Sequence, residues 1–357
     1  ATRYARARND DATGDLMNRN YLVTGGAGFI GSNYVHRLIQ RGETVTVFDN
    51  LSRAGAPRNL AWLEETFGKE AFRLIVGDVR SADQTVEAAK DAEVIVHLAG
   101  QVAVTTSVTN PREDFEANAL GTFNALEAAR TSGRNPIFLY ASTNKVYGGM
   151  DDVKLMEDST RWLYAELEYG CAETQPLDFH SPYGVSKGTG DQYVRDYSRI
   201  YGLRSVVFRQ SCIYGPRQFG VEDQGWLAWM MIAAVTGKKI TIYGDGKQVR
   251  DVLHVNDLLN AYDAAIEKID VAKGQVYNMG GGTRNVLAVW AEFGPILERL
   301  LAKKIEVERG DWRPGDQRVF YADFRKAKRE LDWEPKIDLE EGIDTLFEWV
   351  KANKDLF

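Results

Sequence analysis

Three observations predict an α/β fold on a parallel, doubly wound sheet. Short apolar runs alternate with stretches of helical periodicity along most of the 357 residues. A glycine turn, Gly25-x-x-Gly28-x-x-Gly31, joins the first apolar run to the first helical stretch. Asp49 closes the second run.

The elements follow in order. Residues 21–24 read as a buried strand. Phe29, Ile30, Tyr34, Val35, Leu38 and Ile39 then recur with helical spacing, and Gly42 is the stop. Residues 44–48 form the second strand. Residues 74–76, 94–98, 137–141 and 206–208 repeat the signal, with helical stretches between most of them. The segment around 275–279 reads as one more strand that returns to the first lobe. No internal repeat or low-complexity segment is seen. Residues 1–16 are polar and aperiodic, and are expected to be a disordered extension or a cloning remnant. Arg3, Arg6 and Arg8 suggest targeting, but Asp10, Asp11 and Asp15 argue against a transit sequence.

Composition excludes several classes. A net charge of -7 without a long basic run argues against nucleic acid as the partner. No apolar run reaches the ~18 residues of a membrane span. Cys171 and Cys212 make no disulfide framework, which points to the cytoplasm. His36, His97, His180 and His254 lack metal-ligand spacing, so no metal is expected.

The glycine turn has a mechanical reading. Glycines permit the tight turn and let the backbone approach a pyrophosphate, while the following helix offers its N-terminal N–H groups to that anion. This is the Rossmann arrangement. Asp49 is placed to accept hydrogen bonds from ribose hydroxyls and to repel a 2′-phosphate, which favours NAD over NADP. Arg53 is the counter-evidence. Asp78 follows the third strand and faces the adenine edge. Leu98-Ala99-Gly100 ends the fourth strand with small residues. Tyr183 and Lys187 share one face of a helix. The ammonium there favours the phenolate, and lowering a phenol from ~10 to ~7 takes roughly 4 kcal/mol, shared with a nicotinamide ring.

Taken together, Thr24-Gly-Gly-Ala-Gly-Phe-Ile-Gly-Ser32, His97-Leu-Ala-Gly100, Tyr183-x-x-x-Lys187, Phe208-Arg-x-x-x-Ile-Tyr-Gly-Pro216, Arg250-Asp-Val-Leu-His254 and Arg313-Pro-Gly-Asp316 resemble the extended short-chain dehydrogenase/reductase family of nucleotide-sugar enzymes. The resemblance covers the chain after Met17. It implies a catalytic set of Tyr183 as acid/base, Lys187 on the nicotinamide ribose, and Thr143 on the substrate hydroxyl. The cofactor set it implies is Gly25, Gly28, Phe29, Ile30, Gly31, Asp49, Asn50, Ser52, Arg53, Asp78, Val79, Leu98, Ala99, Gln101 and Asn118, with Tyr183 and Lys187. Asn118 is expected to act structurally beside the active site. For the substrate it implies Gln101, Thr106, Asn144, His180, Ser211, Arg217, Gln224, Gln248, Arg250, Arg313 and Asp316, with the three arginines on the diphosphate. Residues 17–211 are then the NAD-binding domain, with a return segment at about 244–285. Residues 212–243 and 286–357 form a smaller, interleaved sugar-binding lobe. The helices beginning near Glu113 and Tyr183 are where relatives pair, which implies a homodimer or homotetramer.

The chain departs from the sugar 4,6-dehydratases at one place. Those carry an acidic pair after the Thr; here Asn144 and Lys145 fill the positions, so elimination loses its acid and base. The stretches at 100–107, 178–183, 223–226 and 246–254 are similar to the CDP-paratose/CDP-tyvelose 2-epimerases. The resemblance implies a redox-neutral reaction with tightly bound NAD, regenerated each turnover: oxidation at C2 to a 2-keto sugar, reorientation, and hydride return. A 4-epimerase on the same scaffold and a non-catalytic NAD-sensing protein are the alternatives.

Overall fold

The computed structural model describes residues 18–313 and 316–357; the expected extension at 1–16 lies outside them. The strands are β1 (Asn20–Thr24), β2 (Thr44–Asp49), β3 (Arg73–Val76), β4 (Val94–His97), β5 (Ile137–Thr143), β6 (Leu155–Glu157), β7 (Trp162–Tyr164), β8 (Arg204–Gln210), β9 (Cys212–Tyr214), β10 (Ile240–Tyr243), β11 (Val249–His254), β12 (Val276–Met279), β13 (Val286–Ala288), β14 (Val307–Gly310) and β15 (Val319–Phe320). Seven of them form one parallel sheet in the order β12-β8-β5-β4-β1-β2-β3. This is the expected Rossmann-type doubly wound sheet. Its order reverses between β1 and β4, which opens a crevice at their carboxyl ends.

Burial on both faces explains the near-continuous apolar strands. Tyr21, Val23, Val45, Val47, Val94 and Val96 pack toward one helical layer, which includes Tyr34, Val35 and Leu38 of the helix Phe29–Gln40. Leu22, Phe48, Ile95, Phe138 and Val207 pack toward the other. β4 ends at His97, one residue short of expectation. The Leu98 N–H still donates to the Thr24 carbonyl at 3.1 Å, and the N–H groups of Leu98 and Ala99 also reach Thr24 Oγ1, at 3.2 Å each.

The smaller lobe centres on β11, which pairs with β9, β13 and β15, beside the β10–β14 pair. The helices Trp226–Thr236, Phe293–Leu301 and Leu339–Ala352 enclose a core of Leu227, Met231, Ile242, Leu287, Phe293 and Leu346. Two segments cross between lobes differently from the sequence expectation. Of residues 244–285, Val249–His254 joins the smaller sheet and Val276–Met279 the large one. Ala327, Leu331 and Trp333 pack in the large sheet's core, because the Trp333 indole donates to the Asp257 carbonyl at 2.8 Å.

Asp251 fastens the lobes together. Fully buried, it accepts from the Ser211 hydroxyl and from the N–H groups of Ala322 (2.9 Å) and Gly282 (3.1 Å). Burial outweighs those bonds and raises its pKa to about 6.

Candidate active site

A cleft of about 470 Å³ lies over the carboxyl ends of the strands. Every expected cofactor residue lines it except Asn118. The glycine turn is tight: Gly25 has φ +67°, and a Cβ there would come 2.8 Å from the Ala99 nitrogen. A Cβ on Gly31 would collide with the Gly25 carbonyl. The helix Phe29–Gln40 begins at Gly28 with no side-chain cap and no acidic residue in its first turn, so its N–H groups suit an external anion. Asp49 accepts from the Ala27 N–H (3.0 Å) and the Leu51 N–H (2.8 Å), and burial raises its pKa against those bonds. It therefore fixes the turn as well as facing the cleft. Asn50 donates to Asp78 at 2.9 Å, and Arg80 holds the Asp78 carboxyl down at about 2. The Ser52 N–H turns back to Asn50 Oδ1 at 3.1 Å. These groups fit a dinucleotide.

Asn118 sits behind the cleft in a π-helical turn, Glu116–Leu120. It is fully buried, accepts from the Gln101 N–H (2.9 Å) and donates to Asp114 (3.1 Å) and Ser186 (3.0 Å). The Ser186 hydroxyl donates to Asp114 at 2.5 Å. This network braces the helix Ser181–Tyr201 from below. The Gln101 side chain closes on its own loop through Ala103, at 2.6 Å in both directions.

Tyr183 and Lys187 line the cleft one helical turn apart. Burial raises the Tyr183 pKa to about 12; the Thr143 hydroxyl opposes this and Asp114 adds to it. Lys187 does not figure among these causes. Its own amine falls to about 8 through burial, opposed by Asp114 and Asp191, and its Nζ lies 4.4 Å from the Tyr140 ring centroid. Burial is the largest cause at both groups, and at Tyr183 it opposes the expected phenolate. Ser142, beside Thr143, donates to Asp191 at 2.8 Å, and Arg209 grips Asp191 through two bonds of 2.8 and 2.9 Å.

The expected substrate residues divide. Thr106, Arg217 and Gln224 line the cofactor cleft with Gln101. Arg217 stacks on Trp62 at 3.9 Å, with its backbone at φ +71°. Of the three arginines expected on the diphosphate, it alone lines this cleft. Gln224 accepts from Arg53 at 2.6 Å, bridging the lobes. A second group gathers beyond Thr143. Asn144 donates to Gln317 (3.2 Å), and Arg250 binds Asp316 and the Gln317 carbonyl (2.6 Å each). Arg313 stacks on Tyr243 at 3.9 Å and pairs with Asp223 at 3.2 Å. Gln248 donates to the Tyr243 carbonyl at 2.5 Å, and its Oε1 is buried without a partner. The Ser211 hydroxyl is committed to Asp251. His180, half-exposed, lies 3.4 Å from Asp178 at the start of the helix.

Sequence reasoning missed Lys145 as a member of this group. Burial lowers its amine to about 8 and Arg250 adds to that, against Asp316 and Cys212; its Nζ is 4.0 Å from Asp316. The available signal was a cation where dehydratases place an acid. Asp114, Ser186, Asp191 and Arg209 gave no local signal.

Among the described residues, no cluster of His, Cys, Asp and Glu suits a metal, and no helix is long and apolar enough to cross a membrane. The fold and cleft define a dinucleotide-dependent enzyme of sugar nucleotides. A family model described as GDP-mannose 4,6 dehydratase matches residues 22–346, and the chain belongs to this family of short-chain dehydrogenase/reductases. It is 42% identical to CDP-paratose 2-epimerase of Salmonella typhi, over 93% of this chain and 99% of that one. Among solved structures it resembles UDP-glucose 4-epimerase of Thermotoga maritima with UDP-glucose (31% identity, TM-score 0.79, 93% and 99% covered). It also resembles a dTDP-glucose 4,6-dehydratase of Streptomyces venezuelae with NAD bound (28%, TM-score 0.81, 94% and 98% covered).

Proposed function

We propose that this protein is an NAD-dependent nucleotide-sugar 2-epimerase acting on a CDP-linked hexose. The observation that carries this reading is Tyr183 and Lys187 lining the cleft, with the Thr143 hydroxyl bonded to Tyr183, together with Asn144 and Lys145 at the positions where dehydratases hold their acid and base. Similarity to CDP-paratose 2-epimerase supports the choice of carbon and nucleotide.

When bound, NAD would supply a hydride acceptor and donor, through which the C2 hydrogen would leave with its electron pair and return to the same carbon, and its oxidised nicotinamide would carry a positive charge. The chain's residues do the rest. Gly25, Gly28 and the uncapped helix start hold the pyrophosphate, and Asp49 takes the ribose. Tyr183 removes the proton from the sugar 2-hydroxyl and later gives it back to the same oxygen. Thr143 donates to that oxygen, and Lys187 orients the nicotinamide ribose. Burial keeps Tyr183 protonated, so its work as a base would call on the positive charge that an oxidised nicotinamide would supply. The 2-keto sugar turns over within the site before reduction, so NAD stays bound through the cycle.

A second reading, inversion at C4, is favoured by the likeness to UDP-glucose 4-epimerase. One experiment separates them: CDP-, GDP- and UDP-linked hexoses in deuterated water, followed by NMR. Inversion at C2 without deuterium is the expected result. Inversion at C4 overturns the choice of carbon, and deuterium at C2 overturns the redox path.

We also infer a homodimer in the cytoplasm, through the helices Gly121–Thr131 and Ser181–Tyr201. Phe123 and Tyr193 support this: both rings are exposed, and their centroids are 6.0 Å apart on adjoining helices. The two free cysteines agree with a reducing compartment.

A further inference from the structure

We infer that the protein carries a second binding site, for the phosphate group of a small metabolite, at the outer edge of the large sheet. A cavity of about 680 Å³ lies there between β12, the segment from Ala172 to Leu177, and the helix Arg325–Leu331. It shares no lining residue with the catalytic cleft, and it is independent of the function proposed above.

Its lining holds cations that the chain does not neutralise. Among the described residues, Arg195 and Lys326 have no carboxylate within 4.0 Å. Arg195 makes one long side-chain bond, to Gln192 at 3.4 Å, and its buried Nε has no partner. Lys326 donates only to neutral oxygens, those of Gln275 and Val276, at 2.9 Å each. Arg329, largely exposed, joins them with a single contact to Glu330 at 3.3 Å.

The carboxylates of the lining already hold other donors. Asp323 is engaged by Arg325 through bonds of 2.7 to 3.1 Å. Glu173 accepts the Asn278 N–H at 2.8 Å. Arg209, on the floor, is held by Asp191. The remaining cations disfavour one another. Burial is the main cause that lowers the Lys326 amine; Glu330 and Glu173 oppose it, while Arg195 and Arg329 lower it further. Burial likewise lowers Arg195, with Arg199 and Arg209 adding and Asp191 opposing. Like charges gathered around a concavity are stabilised when an anion enters, and guanidinium forks match phosphate oxygens.

The test is calorimetric titration of the NAD-loaded enzyme with inorganic phosphate, and separately with glucose 1-phosphate and citrate, at low ionic strength. Saturable phosphate binding is expected, weakened about tenfold by Arg195→Gln and by Lys326→Gln, since a charge-assisted bond is lost in each. Arg329→Gln, on an exposed side chain that folding does not need, should weaken it severalfold and keeps the test decisive if a buried variant unfolds. Arg217→Gln, in the catalytic cleft, should leave phosphate binding at the edge cavity unchanged, whatever it does to catalysis. Tighter binding of glucose 1-phosphate than of phosphate marks a sugar phosphate as the source; equal binding marks the free ion. Binding insensitive to the cavity substitutions, sensitive to Arg217→Gln, or seen with citrate alone overturns the proposal, as does absence of saturation.

Discussion

The two ends of the active site are prepared differently. At the cofactor end, the helix start is uncapped, the glycines leave the backbone open, and Asp49 is fixed by two backbone N–H groups. At the sugar end the cations already have protein partners: Arg250 with Asp316 and Gln317, Arg313 with Asp223, Lys145 near Asp316. One end is a rigid receptor with vacant donors. The other must exchange internal ion pairs for ligand contacts. That contrast suits an enzyme that keeps its cofactor and turns its sugar over, because exchangeable contacts hold an intermediate without fixing one face of it.

The sharpest way to break the contrast is at the junction. Tyr183→Phe should lower turnover by about 10³-fold, within the range for a lost general acid/base. NAD content should stay unchanged, because the receptor end is intact. Retained turnover with full NAD would place the proton elsewhere and revive the sensing alternative.

Asp251, which fastens the two lobes, gives the next effect. Its folded pKa of about 6 stands above the ordinary carboxylate value of 3.8. The folded state therefore holds the proton more tightly, and stability falls as pH rises from about 4 to about 6. The full loss above that window is roughly 3 kcal/mol. Urea midpoints between pH 4 and 7 should show this slope in the wild type and a flatter one in Asp251→Asn. Equal slopes would show that Asp251 is not the titrating group.

Gly25→Ala tests the receptor end. The substitution forces a side chain into a left-handed backbone and against the Ala99 nitrogen, at about 2 kcal/mol. NAD affinity and melting temperature should both fall, while the substrate KM of NAD-saturated enzyme stays near wild type. A changed KM at normal NAD affinity would contradict the division between the ends.

What the sequence discloses follows the same division. The glycine turn and Asp49 were legible because each answers to a local constraint: a positive φ, a helix start, a strand end. Tyr183 and Lys187 were legible from helical spacing. Their supports were not. Asp114 meets Ser186, and Asp191 meets Ser142 and Arg209, across chain separations that no local pattern records. Arg217, expected on the diphosphate, lines the cleft and stacks on Trp62 of the helix Ala56–Phe67, a contact between segments far apart in the chain that no local pattern records either. The division of residues 244–285 between two sheets was hidden for the same reason, since strand signals do not name their partners.

Lys145 gives the smallest and most discriminating prediction. Its amine stands near Asp316 and Arg250, with a pKa of about 8 that leaves it charged at neutral pH. If the sugar end works by exchange, this cation is released toward the ligand when Asp316 changes partners. Lys145→Met should then raise the substrate KM about tenfold, the value of one charge-assisted hydrogen bond, with kcat and NAD affinity little changed. Lys145→Arg should recover part of the loss, because it restores charge with a different shape. A fall in kcat at constant KM would instead place the amine on the reacting atoms. An unchanged KM would leave Lys145 as a partner of Asp316 alone, and the exchange would then rest on Arg250.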